Sequence, residues 1–217
     1  MLHDPVADRY WERLFTDFPE FQIVVCDSED RVLSGGNTIP FSWNGTPEGL
    51  PAGWDTVLEQ GFREREQQVR PTTLSALLAI VVREYQGQGL SGLLLNAMRA
   101  VAAGHGLDAL VAPVRPTLKS RYPYVPMEDY VGWTREDGKP FDPWLRVHAS
   151  LGGTILRVAP CSMTITGRIS DWEEWTGMSF RESGEYVVPG ALQPVSMNLE
   201  KDFGVYEEPN VWMRHTV

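Results

Sequence analysis

The sequence predicts an α+β chain, strands and helices interleaved around a mixed sheet, and three observations carry that expectation. Leu77 to Val82 is an apolar run of buried-strand length that passes through Arg83-Glu84-Tyr85-Gln86 into a glycine-rich turn and then a long amphipathic segment. Ala109 to Val114 is a second such run, entered just after Gly104-His105-Gly106 ends that segment. Upstream lies a hairpin pattern, and the last third alternates short β-rich runs with turns. With 217 residues the chain is long enough for one domain with a sizeable core.

The elements follow in order. Asp4-Pro5 is a helix start, with Asp4 as N-cap and proline at the first helical position, and Val6 to Phe18 carries Tyr10, Leu14 and Phe18 at helical spacing until Pro19 stops it. Phe21 to Cys26 and Arg31 to Ser42 read as hairpin strands about the turn Asp27 to Asp30. Gly45 to Gly53 reads as a surface loop. Trp54 to Gln68 reads as a helix with Trp54, Val57, Leu58 and Phe62 on one face, weakened at Gly61, and its carboxylates Asp55, Glu59, Glu64 and Glu66 read first as a solvated face, with proton handling as the alternative. Leu90, Leu94, Met98 and Val101 form a helical stripe, with His105 in the closing turn. Arg115, Lys119 and Arg121 read first as a solvated charge run, with an anionic ligand group as the alternative, before an aromatic, turn-rich stretch from Tyr122 to Phe141. Asp142-Pro143 repeats the helix start, for a short helix from Trp144 to Leu151 closed by Gly152-Gly153. Thr154 to Val158, Ser162 to Thr166, Tyr186 to Val188, Val195 to Leu199 and Val211 to Met213 read as strands, and Ser170 caps a short helix that Gly177 ends.

Composition excludes several classes. A formal net charge of −10 argues against nucleic acid as a partner, because neutralising a phosphate backbone needs a basic face. No apolar run approaches the roughly 20 residues that span a bilayer, and no signal-peptide pattern precedes the first helix, so a cytoplasmic protein that does not engage membranes is expected. Cys26 and Cys161 show no metal-ligand spacing and read as small buried apolar residues, and no metal site is expected.

The glycine-rich turn is where chemistry is expected. A helix starting near Leu90 leaves its first N–H groups unpaired at the positive end of its dipole, and Gly87 and Gly89 let the backbone approach an anion closely, with Ser91 offering a hydroxyl. Gly87-x-Gly89-x-x-Gly92 with Asp108 also matches a dinucleotide fingerprint. The context disfavours a nicotinamide-dependent oxidoreductase: Arg83 to Gln86 separate strand from first glycine, and Asp108 precedes the next strand instead of ending it.

Gln86-Gly87-Gln88-Gly89-Leu90-Ser91, reached through Val81-Val82-Arg83-Glu84-Tyr85, resembles motif A of the GCN5-related N-acetyltransferase (GNAT) superfamily. It departs only in Ser91 at the last small position and in Arg83 where proline is common. The resemblance implies a single GNAT-like domain with a twisted mixed sheet. Residues 1–70 would form the N-terminal helix, hairpin and acceptor-side helix, 71–115 the acyl-CoA core, 116–141 an insertion shaping the acceptor site, and 142–217 the C-terminal helix and strands. It also implies that the strand ending at Val82 splays from the one at Ala109 to Val114. Val81 and Val82 would then hold pantetheine, and the backbone of Gln86, Gly87, Gln88, Gly89, Leu90, Ser91 and Gly92 would hold the CoA phosphates.

The reaction implied is direct acyl transfer from acyl-CoA, acetyl-CoA first, to the amine of a small-molecule acceptor. His148-Ala149-Ser150-Leu151-Gly152-Gly153 resembles the family block whose Tyr protonates the departing thiolate, with His148 in place of Tyr and Gly153 in place of an aromatic. His148 is therefore the first expected acid and Tyr130 the second. A catalytically silent acyl-CoA-binding module fits the same motif, since no base stands out, and homodimer formation through the C-terminal strands is compatible with the pattern.

Overall fold

The computed structural model describes residues 3–217. Strands β1 (Gln22–Cys26), β2 (Val32–Phe41), β3 (Thr73–Val81), β4 (Ala109–Val114), β5 (Thr154–Gly167), β6 (Gly184–Tyr186), β7 (Val195–Asn198) and β8 (Phe203–Thr216) form one sheet in the order β1-β2-β3-β4-β8-β7-β6, with β5 also paired to β8. Only β3 and β4 are parallel, so the sheet is mixed. The helices are α1 (Pro5–Tyr10), α2 (Leu14–Asp17), α3 (Trp54–Glu66), α4 (Leu90–Gly104), α5 (Met127–Tyr130), α6 (Pro143–Ser150) and α7 (Ile169–Thr176).

Helices cover both faces of the sheet. On β2, Gly36 approaches Leu94 and Met98 of α4, whereas Ile39 meets α3 at Gly61. An odd separation along a strand puts these residues on opposite faces. Gly61, which weakens α3 as a helix, is there because a Cβ would lie 2.5 Å from Ile39 Cδ1. The main core joins Phe41, Leu58, Phe62, Leu74, Leu94, Met98, Leu110 and Trp212, and a second cluster packs Trp172, Phe180, Met197 and Tyr206 around β7 and the first half of β8.

Several boundaries differ from the sequence expectation. The first helix is broken, because i→i+3 bonds such as Leu14 N to Trp11 O and Phe15 N to Glu12 O tighten the turn between α1 and α2. The two expected strands at 154–158 and 162–166 are one strand, β5, whose register against β8 shifts between Ala159 and Met163. Helix α7 begins at Ile169, and Arg168 N donates to Asp171 Oδ2, so the expected cap at Ser170 lies inside the helix. Both cysteines are exposed, Cys26 at the end of an edge strand and Cys161 in the β5 bulge, because neither position faces the core.

Candidate functional site

β3 and β4 start side by side and part. Thr73, Leu74 and Ser75 pair with Ala109, Leu110 and Val111, and there the parallel ladder stops, while β3 keeps β2 to Val81 and β4 keeps β8 to Val114. Between the separated halves lies a cleft of about 760 Å³. Leu77 is the extra residue where the β2–β3 register shifts, and its carbonyl accepts from Trp54 Nε1 at 2.9 Å, tying α3 to the cleft wall.

The ladder also fixes which backbone groups face the opening. Val82 N–H donates to Leu33 O at 3.0 Å and Val82 C=O accepts from Tyr85 N at 2.9 Å, so both are committed and Val82 does not line the cleft, contrary to expectation. Backbone direction alternates along a strand, so Val81 and Ala79 turn their groups the other way, toward the cleft. Val81 C=O already accepts from Gln86 Nε2 at 3.3 Å.

At the mouth, Gly87 and Gly89 both sit at φ +79°, and a Cβ on either would meet nothing within 4 Å among the described residues. The N–H groups of residues 87–91 have no hydrogen-bond partner among the described residues, whereas those of Gly92 and Leu93 both return to Gly89 O. Consecutive unpaired donors at the start of α4 form a cradle for a polyanion. Gln86, Gly87, Gly89, Leu90 and Ser91 line the cleft; Gln88 and Gly92 do not.

His148 reaches the same cleft from α6 and is 1% exposed. Its Nδ1 lies 2.9 Å from His215 Nε2, and its own Nε2 has no partner among the described residues. Burial, and then His215, push its pKa down to about 3, so the ring is neutral at physiological pH. Tyr130 is elsewhere. Its hydroxyl donates to Asp142 Oδ2 at 2.9 Å inside an aromatic cluster with Tyr122, Trp133 and Phe141, and burial, then Asp142, raise its pKa. It does not line the cleft.

No protein-family model matches the chain. The fold is shared with the loading GNATL domain of CurA from Lyngbya majuscula (TM-score 0.59, 20% identity, 96% of this chain and 82% of that one). It is also shared with the GphF GNAT-like decarboxylase in complex with isobutyryl-CoA (TM-score 0.56, 17% identity, 95% and 83%). An arginine N-acetyltransferase, avaD, of Aspergillus versicolor is 36% identical over 244 residues, covering 98% of this chain and 82% of that protein. The chain belongs to the GNAT superfamily. Membership makes acyl-CoA-dependent acyl transfer its general chemistry, and the unpaired N–H groups of residues 87–91 fit the CoA phosphates.

The GNAT cleft continues to residues that the sequence reading did not assign to it, Trp54, Trp144, Met163, Glu208 and Asn210, and to Arg115, whose second reading was a partner for an anionic group. Glu208 is 7% exposed and saturated. Arg115 Nε donates to both its oxygens at 2.9 Å, Tyr206 OH to Oε2 at 3.1 Å and Asn210 Nδ2 to Oε1 at 3.4 Å. Arg115 Nη2 also donates to Gly190 O at 2.6 Å. Arg115, read as a solvated charge, is therefore half of an ion pair at the cleft wall. Glu207-Glu208-Pro209-Asn210 was the available signal, a polar run in the interior of a strand, but its turn-like composition masked β8.

Proposed function

We propose that this GNAT chain moves an acyl group, acetyl first, directly from acyl-CoA to the amine of a small-molecule acceptor. The observation that carries the reading is that the unpaired N–H groups of Gly87, Gly89, Leu90 and Ser91 open on the same cleft as the buried, neutral His148. In this reading the loop fixes the CoA phosphates, and the free edge of β3 at Ala79 and Val81 supports pantetheine and polarises the thioester carbonyl. Holding both reactants makes a bimolecular step effectively unimolecular. Tyr130, buried away from the cleft, supports α5 and Asp142 in this reading and takes no part in the transfer.

The avaD relative makes arginine the first acceptor to assay. One feature supports a cationic amino acid: the net charge of −10 draws a cation in. The test is release of free CoA thiol from acetyl-CoA in the presence of arginine, other amino acids and small amines. Turnover with a small amine supports the reading. Binding of acetyl-CoA with no thiol release for any amine would contradict it and leave a silent acyl-CoA-binding module. His148→Ala is expected to lower kcat by about 10²–10⁴ while leaving CoA affinity unchanged.

A further inference from the structure

We propose that Arg115 and Asn210 form a subsite of the cleft for the head of a free α-amino acid, Arg115 taking the carboxylate and Asn210 the amine. The substrate class rests on the acyltransferase reading above, whereas binding at the subsite does not require turnover.

Glu208 orients both side chains. Arg115 Nε donates to its two oxygens at 2.9 Å, and Arg115 Nη2 donates to Gly190 O at 2.6 Å, so the plane of the guanidinium is fixed. Nη1 is left without a partner among the described residues, on a half-exposed side chain that lines the cleft. Asn210 is 2% exposed, and its Nδ2 lies 2.9 Å from Pro209 O and 3.4 Å from Glu208 Oε1. A carbonyl and a carboxylate can only accept, so the amide nitrogen faces them and Oδ1 faces away. Among the described residues nothing donates to Oδ1, yet it is not sealed in the core, and the opening that Asn210 lines is the cleft.

Strand pairing places this subsite across the sheet from the phosphate cradle. Ile39, which meets α3, pairs with Ser75, and Ser75 pairs with Val111. Residues paired across strands share a face, as do alternate residues along one strand. Pro113 and its partner Trp212 follow on that face, where Trp212 Nε1 donates to Pro51 O just before α3. Asn210, Glu208 and Arg115 continue the same alternation. The glycine loop leads into α4, which packs on the opposite face, and the cleft joins the two sides between the parted β3 and β4. A thioester anchored from the α4 side therefore meets its acceptor from the α3 side, where Arg115 and Asn210 stand.

The charge pattern defines the ligand. Glu208 cancels the net charge of Arg115, so the wall is neutral overall but dipolar, with a cationic donor at Nη1 beside an amide acceptor at Oδ1. A simple amine satisfies only the acceptor and meets the guanidinium as a like charge. An anion without an amine satisfies only the donor. The head of an α-amino acid satisfies both, because its two groups sit on one carbon and Arg115 and Asn210 meet the same Glu208 Oε1.

The test is calorimetric titration of arginine, and of agmatine as the same molecule without its carboxylate, into wild type saturated with CoA; lysine with cadaverine and tyrosine with tyramine extend it to other side chains. Agmatine carries the larger positive charge, so the net charge of −10 alone favours agmatine. The amino acid of at least one pair is nevertheless expected to bind at least about tenfold tighter than its amine, the worth of a hydrogen bond to a charged group. Arg115→Gln should bring that ratio close to one. So should Arg115→Lys, which keeps a cation beside Glu208 but has no fork to share with a ligand. A merely structural role for Arg115 would weaken both members of a pair alike. Asn210→Leu should weaken both by roughly three- to tenfold, since the amine is common to them. Equal or tighter binding of every amine, no binding of any amino acid, or a preference that survives Arg115→Gln overturns the proposal, and unchanged binding in Asn210→Leu overturns the role of Asn210. Thiol release from acetyl-CoA is measured separately with the same pairs: carboxylate-dependent binding without release contradicts the acyltransferase reading alone, and release that ignores the carboxylate contradicts the subsite alone.

Discussion

Gly153 and His215 approach so closely that the position has no room for a side chain: a Cβ on Gly153 would lie 2.7 Å from His215 Cε1, 2.9 Å from its Nε2 and 2.7 Å from the His148 carbonyl oxygen. The two departures from the family block, His148 for tyrosine and Gly153 for an aromatic, are therefore one structural arrangement. The glycine clears the space through which β8 delivers His215 to His148.

Gly153→Ala should act on that contact. The backbone oxygen of His148 cannot give way as a flexible side chain would, so the strand carrying His215 has to shift. Overpacking of this kind costs about 1–3 kcal/mol. Chemical denaturation should show the loss, and the ring resonances of His148 should move with it. Unchanged stability and unchanged resonances would mean that the contact is not tight in solution.

Asp4 and Asp55 give a pH dependence with a definite sign. Asp4 Oδ1 caps α1 through Val6 N and Ala7 N, and Asp55 Oδ2 accepts from Thr164 N, leaving Asp4 Oδ2 and Asp55 Oδ1 buried with no other partner among the described residues. Burial first, and then the charge of Asp4, push Asp55 up to about 7 from 3.8. The folded protein therefore holds a proton that the unfolded chain releases, and the stability this group contributes is fully present below about pH 4 and lost as pH rises through about 7. Asp55→Asn should flatten the fall in unfolding free energy between those limits and leave the variant the more stable protein at pH 8. A wild-type slope in the variant would place the titration elsewhere.

Glu208→Gln should separate the acceptor end of the cleft from the CoA end. The amide keeps the shape but removes the charge that holds Arg115, so a loss of about 1 kcal/mol in stability is expected. With its counter-charge removed, Arg115 leaves net positive charge at the cleft wall, so the KM for a cationic amine acceptor should rise by about tenfold. CoA affinity, measured by calorimetry, should not change. A weaker CoA complex would instead assign the Arg115–Glu208 pair to the cofactor.

What the sequence made legible was local. The strand, glycine turn and helix from Leu77 onward needed only apolar periodicity and the φ +79° requirement that glycine meets at 87 and 89. The splay of β3 from β4 followed from the family resemblance carried by that same stretch. What stayed hidden depends on contacts between distant positions. Trp54 reads as an apolar helix residue until its indole is seen on Leu77 O. Asp55 reads as a solvated carboxylate until Asp4 and Thr164 surround it. His215 sits 67 residues from His148, and no spacing rule connects them. Val82 was misplaced by one residue because strand phase is set by pairing, here by Leu33 O, and not by the apolar run.

The most direct measurement is isothermal titration of CoA and acetyl-CoA into wild type, Gly89→Glu and Gly89→Ala. All three share the loop, and both variants carry the strain of a side chain at φ +79°, but only glutamate places a carboxylate in the open space before the unpaired N–H groups. Binding by wild type and by Gly89→Ala, with at least about a hundredfold loss in Gly89→Glu, is the expected result. Equal binding by all three, or no binding by folded wild type, would contradict the assignment of the cleft to acyl-CoA.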